Sequence, residues 1–442
     1  MTNLRAFWHN INASYWFYPA VASILAVLLA LTTIWLDRSG YAAFLSNVES
    51  LVPARPDGAS NMLTVIAGSM IGVASTVFSI TIAAVAYASG NYGPRLLTNF
   101  MEDRGNQFSL ATFIGTFVYA LTVLRSVRAA DESALILEAG DAAPGFVPQL
   151  SLLVAFGLTG ISIAVLVYFL NHIPASIRIN TVLQGIGDRL LRMIDHRYSE
   201  DFEGERPRII PEGGARIEAT STGYIQIIDL DELVEIADKH EARIVMQVGN
   251  GHFIHPGMTL ARWIDDNAEI GGEVPYDKIR DCFATGSRRT PNQDLNFLID
   301  ELVEIALRAL SPGINDPFTA VTALHWLGAA IAILGQRDLN ILRARETDGE
   351  QPRVYPIDDN FAHFLARGFG AIRPHAASSP IASSAQLAAI ADARFVISDP
   401  TRRTMLQEEG ERLLARAKEV MPAEEYSSLQ AGVGALSEVR SA

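Results

Sequence analysis

The residues of this sequence that are best placed for chemistry form a row of small and hydroxyl side chains within a long apolar segment. This row, the small-residue stripe, consists of Ser69, Gly72, Thr76, Ser79 and Ala83 and continues to Ala86 and Gly90. Its members follow one another at alternating steps of three and four residues, so on a helix they lie along one face. Hydroxyl oxygens on such a face can replace part of the water around an ion.

The sequence leaves two interpretations of the stripe open. Small side chains let two helices approach closely in lipid, so the stripe is typical of a helix-packing seam. If the stripe instead lines a polar conduit, the hydroxyls of Ser69, Thr76 and Ser79 would coordinate passing ions in place of water. The segment from Ser69 to Gly90 contains no acidic or basic side chain, which argues against a proton-coupled carrier.

The composition around the stripe is that of a membrane protein. The chain has 442 residues, 49% of them hydrophobic, and its mean hydropathy is +0.19. A bilayer core about 30 Å thick requires roughly 20 apolar residues in a helix. The runs of about this length are Phe17–Leu36, Met62–Ala88, Phe108–Leu124 and Leu150–Leu170. We therefore predict an α-helical membrane domain with about four transmembrane helices over residues 1–172, held in a lipid bilayer.

The arginines predict how these helices are oriented. Arg5 precedes the first run, Arg95 and Arg104 lie between the second and third, and a group of arginines follows the fourth. Arg125 and Arg128 lie on the opposite side, but the balance predicts a bacterial inner-membrane protein with both termini in the cytoplasm. Arg95 is then expected at a pore mouth or at the lipid interface.

Three segments of the chain carry a family resemblance. They read "FSITIAAVAYASGNYGPRLLTNF", "NHIPASIRI" and "ALSPGINDPFTA". Together they resemble the bacterial family of predicted membrane proteins called domain of unknown function 2254 (DUF2254), over nearly the whole chain. The resemblance implies an N-terminal region with several membrane spans and a C-terminal soluble region. It implies no reaction, ligand or cofactor.

The remainder of the chain predicts a soluble α+β domain with a small β-rich module and a helical layer. Residues 173–206 fit an amphipathic connecting helix that lies on the membrane surface or against a partner subunit. Residues 207–275 fit the β-rich module, with a predicted hairpin around Asn250–Gly251. Residues 276–442 fit the helical layer, whose most apolar segment is expected to be buried, with a fifth span as the alternative.

A polar corner in the helical layer is a candidate ligand site. Asn315 and Asp316, together with Asp300 and Glu304 of the preceding helix, supply oxygen atoms that suit a cation or a polar ligand. The simpler interpretation starts from Asp316 and Pro317, which have the pattern of a helix N-cap followed by proline at the first helical position. In that case the remaining acids form a solvated helix face.

Other function classes receive no support from the sequence. Cys282 is the only cysteine, which excludes an intramolecular disulfide and a thiolate metal cluster. His252 and His255 have no third ligand close by in sequence, so we predict no metal site. No catalytic motif is present, and neither catalytic residues nor a cofactor are predicted. The net charge of −14 and the absence of a basic tract argue against nucleic acid as a partner.

These observations lead to one functional prediction and one alternative. We predict a homo-oligomeric channel or permeation pathway in the inner membrane, with a cytosolic domain that assembles or regulates it. The alternative is a non-conducting membrane scaffold or sensor, in which the stripe only packs helices.

Overall fold

The chain forms two compact units. The computed structural model describes residues 14–41, 55–93, 103–128, 146–200, 210–265, 274–340 and 352–431. One unit ends at Arg178 and the other begins at Ile179; we call them the N-terminal unit and the C-terminal unit. The predicted division into four segments is finer than this and stays a prediction.

Long helices make up the described part of the N-terminal unit. They are α1 (Phe17–Arg38), α2 (Pro56–Tyr92), α3 (Arg104–Leu124) and α4 (Gln149–Ser176). Each is long and apolar enough to cross a membrane, and so is the helix Pro317–Leu334 of the C-terminal unit, which makes five candidate spans among the described residues. Length and composition therefore do not establish the predicted count of about four.

Helix α3 lies at the centre of the N-terminal bundle, where it contacts α1, α2 and α4. The side chains of Leu63, Phe113 and Phe169 are almost completely buried in this core. The hydroxyls of Thr116 and Ser162 are buried as well and pair with each other at 3.0 Å. In the described part of one chain, the centre of the bundle is thus a packed core in which these two hydroxyls satisfy each other.

The C-terminal unit combines helices with two small sheets. Its elements in chain order are α5 (Ile179–Arg197), β1 (Ala215–Glu218), β2 (Gly223–Ile228), α6 (Leu230–Lys239), β3 (Ala242–Met246), β4 (Phe253–Ile254), β5 (Thr259–Asp265), α7 (Tyr276–Asp281), β6 (Phe283–Gly286), α8 (Leu295–Ala309), α9 (Pro317–Leu334), β7 (Val354–Tyr355), α10 (Phe361–Leu365), a π-helical turn (Ala366–Gly370), α11 (Ala371–Ala376), α12 (Pro380–Val396) and α13 (Pro400–Val420).

Helix α9 is the centre of the helical layer. It packs against α5, α8 and α12, and its side chains Leu324, Leu327 and Ile331 are buried there. Its apolar character on almost every face follows from this position, because neighbouring helices cover it on several sides.

Helix α5 has its apolar face buried within the C-terminal unit. Leu183, Ile186, Leu190 and Ile194 are almost completely buried, and the helix packs against α8 and α9. The sequence predicts a face directed at the membrane or at a partner subunit. Burial of these side chains on α8 and α9 accounts for the amphipathic pattern without either of them.

The strands form two separate sheets, with the orders β1-β5-β3-β7 and β4-β2-β6. Strand β3 pairs with β5 and β7, whereas β4 pairs with β2. The predicted β3–β4 hairpin around Asn250–Gly251 is therefore wrong. After this turn the backbone bonds to β2 instead, since the N–H of Gly251 donates to Ile225 O at 2.8 Å and the N–H of Ile225 donates to His252 O at 2.9 Å.

Candidate functional site

The small-residue stripe lies on an exposed face of α2. Ser69, Gly72, Thr76, Ser79 and Ala83 are all exposed. A different seam of the same helix, formed by Leu63, Ala67, Met70, Ala74 and Val77, is buried in the bundle core. A Cβ atom added to Gly72 would meet no atom within 4 Å. The stripe therefore does not pack α2 against the other described helices of the N-terminal unit.

Three exposed hydroxyls beside and within the stripe donate to their own helix. Ser75 Oγ donates to Ile71 O at 2.9 Å, Thr76 Oγ1 donates to Gly72 O at 3.0 Å, and Ser79 Oγ donates to Ser75 O at 2.8 Å. Such i to i−4 bonds let a hydroxyl residue sit in an apolar environment without water. The hydroxyl oxygens retain capacity to accept a further bond.

The stripe differs in side-chain size from the exposed surface of α1 and from much of that of α4, although α4 also exposes the small residues Gly157, Gly160 and Ala164. Helix α1 exposes Leu25 and Leu28, and helix α4 exposes Phe156, Ile163 and Val167, each with about half or more of its surface accessible. Large apolar side chains of this kind are suited to contact with acyl chains. Small ones instead leave a shallow furrow into which a second helix fits.

Bulky side chains border the stripe. Ile71, Phe78 and Ile82 lie along one side of it and are between 41% and 46% exposed, and Ile80 on the other side is 40% exposed. A furrow of small residues between larger ones is the shape that allows ridges of a neighbouring helix to enter.

Asp37 connects the end of α1 to the beginning of α4. Its Oδ1 accepts from Leu150 N at 2.9 Å, and its Oδ2 accepts from Ser151 N at 3.0 Å and from Ser151 Oγ at 2.8 Å. The residue at the N-cap position of α4, Pro148, gives no side-chain cap. Asp37 thus satisfies backbone donors of a helix start and places a negative charge at the positive end of the helix dipole.

Asp103 performs a related task at the other end of α4. It accepts from Gly105 N at 2.8 Å as the N-cap of α3, and its Oδ2 lies 2.7 Å from His172 Nε2. Helix α4 has 28 residues, about 40 Å of helix, so Asp37 and Asp103 bind at opposite ends of the bundle. Sequence reasoning missed both contacts, although each residue lies at the edge of an apolar run.

The residues of the predicted polar corner do not come together, because Asp300 lies in the first half of α8 and Asn315 and Asp316 lie beyond its end. Asp316 caps α9, since its Oδ1 accepts from Thr319 N at 3.2 Å and its Oδ2 accepts from Thr319 Oγ1 at 2.6 Å. The predicted capping role of Asp316 is confirmed. Asn315 is exposed and adopts a left-handed backbone conformation, with φ of 49°. Asp316 N donates to Ala309 O at the end of α8, whereas Asp300 lies nine residues earlier, about 13 Å away along that helix.

Asp300 belongs to a half-buried group of ion pairs. Arg367 donates to it from both Nε and Nη2 at 2.7 Å, and Arg289 Nη1 donates to it at 2.6 Å. Burial alone would raise the pKa of Asp300, but these hydrogen bonds and charges hold the pKa below its ordinary value. Because guanidinium groups already bind both of its oxygens, the carboxylate is a poor ligand for a further cation.

The other acidic side chains near this group take part in a helix cap or an ion pair, or are partly buried. Asp294 caps α8 through Phe297 N at 3.0 Å and pairs with Arg289, and burial raises the pKa of this carboxyl despite the arginine. Glu301 is buried, with Arg189 Nη2 at 3.6 Å. Glu304 lies partly buried on the same helix. Among the described residues, no group of at least three His, Cys, Asp or Glu side chains is arranged to hold a metal ion.

One predicted site residue, Arg95, lies outside the residues that the structure describes. Its expected place at a pore mouth or lipid interface stays a prediction.

Comparison with known proteins places the chain in a family. A family model described as "Predicted membrane protein (DUF2254)" matches residues 12–392. Uncharacterized proteins of Mycobacterium tuberculosis and Mycobacterium bovis are 32% identical to it over 363 residues, which is 80% of this chain and 67% of each relative. No solved structure matches the chain. The family match covers both units and agrees with the long apolar helices, so the chain belongs to the DUF2254 family of predicted membrane proteins and is itself a membrane protein.

Proposed function

We propose that this membrane protein is a self-associating, non-conducting scaffold or sensor of the bacterial inner membrane, with its termini in the cytoplasm. Copies of the chain join through α2, stripe against stripe. The observation that carries the proposal is the exposure of the five small residues Ser69, Gly72, Thr76, Ser79 and Ala83 along one face of α2, a longer row of exposed small residues than Gly157, Gly160 and Ala164 on α4.

The physical argument rests on what drives association in lipid. Apolar side chains gain little by leaving acyl chains for another helix, because both surroundings are apolar. Close approach of two backbones does yield a gain, and small residues permit it. Gly68 and Gly72 both have open space where a Cβ atom would lie, so the face can accept a partner helix at short distance.

The hydroxyls favour packing over conduction. Thr76 and Ser79 already donate to their own helix, and the stripe carries no ionisable group that would select or relay charge. A copy of the chain can therefore cover Thr76 and Ser79 without leaving their donors unsatisfied.

A channel is the second candidate, and one observation favours it. Ser69, Thr76 and Ser79 expose hydroxyl oxygens on the same face of α2. If several copies placed this face around a common axis, these oxygens would line the axis and could coordinate a partly dehydrated ion. The C-terminal units would then assemble or regulate the pathway.

Reconstitution separates the two candidates. The protein, labelled at low density in lipid vesicles, is counted by single-molecule photobleaching, and the same preparation is tested for current in a planar bilayer. We expect more than one copy per particle and no current. A current that Ser79→Leu abolishes while assembly persists would establish the channel instead.

Matched glycine variants test the interface itself. Gly72→Leu places a bulky side chain on the stripe and Gly68→Leu places one directly beside it. Gly157→Leu and Gly160→Leu change the shorter row of exposed small residues on α4, where an added Cβ atom also meets no atom within 4 Å. We expect only the first pair to yield monomers. Equal assembly of all four variants, or a monomeric parent protein, contradicts the proposal.

A further inference from the structure

The chain enters the C-terminal unit directly from a helix that is suited to the membrane. Helix α4 ends at Ser176, and α5 begins at Ile179. Among the described helices that are long enough to cross a membrane, α4 is the most apolar. Three residues of chain span at most about 10 Å. The chain therefore keeps the start of α5 close to the surface of the bilayer that holds α4.

Helix α9 runs parallel to α5. Gly187 of α5 packs on the indole ring of Trp326 of α9. Further along, Asp195 Oδ1 accepts from Arg337 Nη2 at 2.8 Å. Because the second contact comes later than the first in both segments, the two segments have the same direction. The starts of α5 and α9 thus lie at the same end of the C-terminal unit.

Helix α12 has the same direction as α9. A Cβ atom added to Gly328 would come too close to Ala389, and one added to Gly335 would overlap Ile397. Here too the later residue of one segment meets the later residue of the other. The starts of α5, α9 and α12 therefore share one end of the unit, which is the end where the chain arrives from α4.

Helix α13 runs in the opposite direction and finishes at this end. Arg394, near the end of α12, donates from Nη2 to Gln407 Oε1 in the first half of α13 at 3.1 Å. At the start of α12, Ile381 lines an open groove of about 700 Å³ together with Pro422, which follows the end of α13. The last turn of α13 is thus next to the first turn of α12.

Apolar side chains are exposed at the end that these helices share. They are Ile314, Phe318, Ile381 and Val420, which are between 39% and 69% exposed; we call them the apolar end. Ile314 and Phe318 flank the start of α9, Ile381 is in the first turn of α12, and Val420 is the last residue of α13. Single exposed apolar side chains are common in proteins, whereas a group of them marks an interaction site.

We propose that the apolar end is a lipid-binding surface, which seats the C-terminal unit on the bilayer that holds α4. Phe318 and its neighbours insert at the boundary between headgroups and acyl chains, as the apolar faces of interfacial helices do. Lipid is favoured over a second protein as the occupant because of the chain connection. Since α5 starts within a few residues of α4, this end stays near the bilayer, where lipid is always present at high local concentration.

The charges at this end select the kind of lipid. Glu424 and Glu425 are exposed and line the groove next to Ile381, so they repel anionic headgroups. Burial of apolar side chains supplies the binding instead. The surface therefore fits zwitterionic lipid, and its contact should persist at high salt, which screens interactions between exposed charges.

Spin labels on two matched phenylalanine positions test the proposal. Phe318 is 69% exposed, and Phe395, near the end of α12 and so at the opposite end of the unit, is 73% exposed. Phe318→Cys and Phe395→Cys are made in full-length protein that carries Cys282→Ala, since Cys282 is the sole cysteine. Each variant is labelled with a nitroxide and reconstituted at low density in phosphatidylcholine vesicles.

The measurement compares how often each label collides with two relaxing agents. Oxygen concentrates among acyl chains, whereas a neutral nickel chelate stays in water. We expect the ratio of oxygen to nickel collisions to be several-fold higher at position 318 than at position 395, at both low and high salt. Ile381→Cys repeats the measurement on another helix and should agree with position 318, so the result does not depend on one substitution.

Three outcomes overturn the proposal. Labels at positions 318 and 381 that meet the nickel chelate as often as the label at position 395 would show that the apolar end faces water. Labels that both agents fail to reach, or whose environment changes as the protein-to-lipid ratio rises, would show that another protein or a second copy covers it. Insertion that requires anionic lipid would contradict the apolar origin of the contact.

The proposal is independent of self-association through the stripe. The variant Gly72→Leu, which we expect to be monomeric, should give the same collision ratio at position 318 as the parent protein. Loss of lipid contact in Gly72→Leu would show that the apolar end is seated by assembly of copies and not by its own burial in lipid.

Discussion

Gly187 of α5 lies directly against the indole ring of Trp326 of α9, and any Cβ atom at this position would overlap the ring. The contact joins the first helix of the C-terminal unit to its central helix. It fixes how close the two helices come, because only hydrogen fits between the backbone of α5 and the ring.

We expect Gly187→Ala to lower the free energy of unfolding of the C-terminal unit by about 1–3 kcal/mol through overpacking. Gly185, two residues earlier on the same helix, has no atom within 4 Å of an added Cβ. Gly185→Ala should therefore stabilise the helix by roughly 0.5–1 kcal/mol, the usual gain of alanine over glycine. Thermal unfolding of both variants in detergent measures the difference. If both shift in the same direction, the close contact does not limit the packing.

The Asp103–His172 pair should couple α3 to α4. Asp103→Asn keeps an N-cap acceptor for Gly105 but removes the charge opposite His172. In a double-mutant cycle with His172→Gln, we expect a coupling energy of about 0.5–1 kcal/mol, at the low end for residues in contact because both side chains are partly exposed. Additive effects would show that the two residues act independently. Asp103→Leu also removes the cap and should cost roughly another 1 kcal/mol.

Acid should weaken the C-terminal unit through Asp300. Its pKa is lower in the folded than in the unfolded chain, where the ordinary value is 3.8. Such a group adds stability that is complete above the unfolded pKa and is lost as pH falls through the folded pKa. Asp294 acts in the opposite sense, because its raised pKa means that its contribution is largest in acid and declines as pH rises.

The variant Asp300→Asn isolates this contribution. We expect it to lower stability at pH 7 by about 3 kcal/mol, since Arg367 loses its carboxylate partner and Arg289 keeps only Asp294. The additional loss below about pH 4 should become smaller. Asp277→Asn is the control, because its side chain is 94% exposed. Thermal unfolding midpoints from pH 3 to pH 8 provide the measurement. Parallel profiles for Asp300→Asn and the parent protein would contradict the assignment.

Cys282 should be unreactive in the folded protein. Burial, with the nearby carboxylates of Glu232 and Asp229, raises the pKa of its thiol to about 12, and its side chain is 1% exposed. A thiol reacts as its thiolate, so little of the nucleophile is present near pH 8. As Cys282 is the sole cysteine, labelling with a chromogenic disulfide measures it alone. Slow labelling in detergent and one rapid equivalent after denaturation are expected, whereas rapid labelling of the native protein would place the thiol at an accessible surface.

The features of this structure that depend on neighbouring residues in the sequence could be predicted from the sequence. Apolar runs of about 20 residues predict membrane helices, since backbone polar groups must be satisfied within lipid. The motif around Asp316 predicted a cap that is confirmed, because an N-cap and the following proline act within one helical turn. The family resemblance is confirmed by the match over residues 12–392.

The hairpin at Asn250–Gly251 shows where local reasoning failed. An Asn-Gly pair between two strand-like segments favours a hairpin, but β3 pairs with β5 and β7 and β4 pairs with β2. The turn carries the chain from one sheet to the other. Which strand a segment joins depends on partners distant in sequence, and no local pattern specifies them.

The sequence by itself determined that a regular row of small residues runs along one face of α2, because helical periodicity follows from spacing alone. Only the tertiary structure decided that this face is exposed and that a different seam, including Met70 and Ala74, packs into the bundle. It also decided that Arg197 and Asn250, distant in sequence, meet at the carbonyl of Gln293. Burial and the pairing of polar groups are properties of the packed chain, since they depend on which side chains from remote segments occupy the same space.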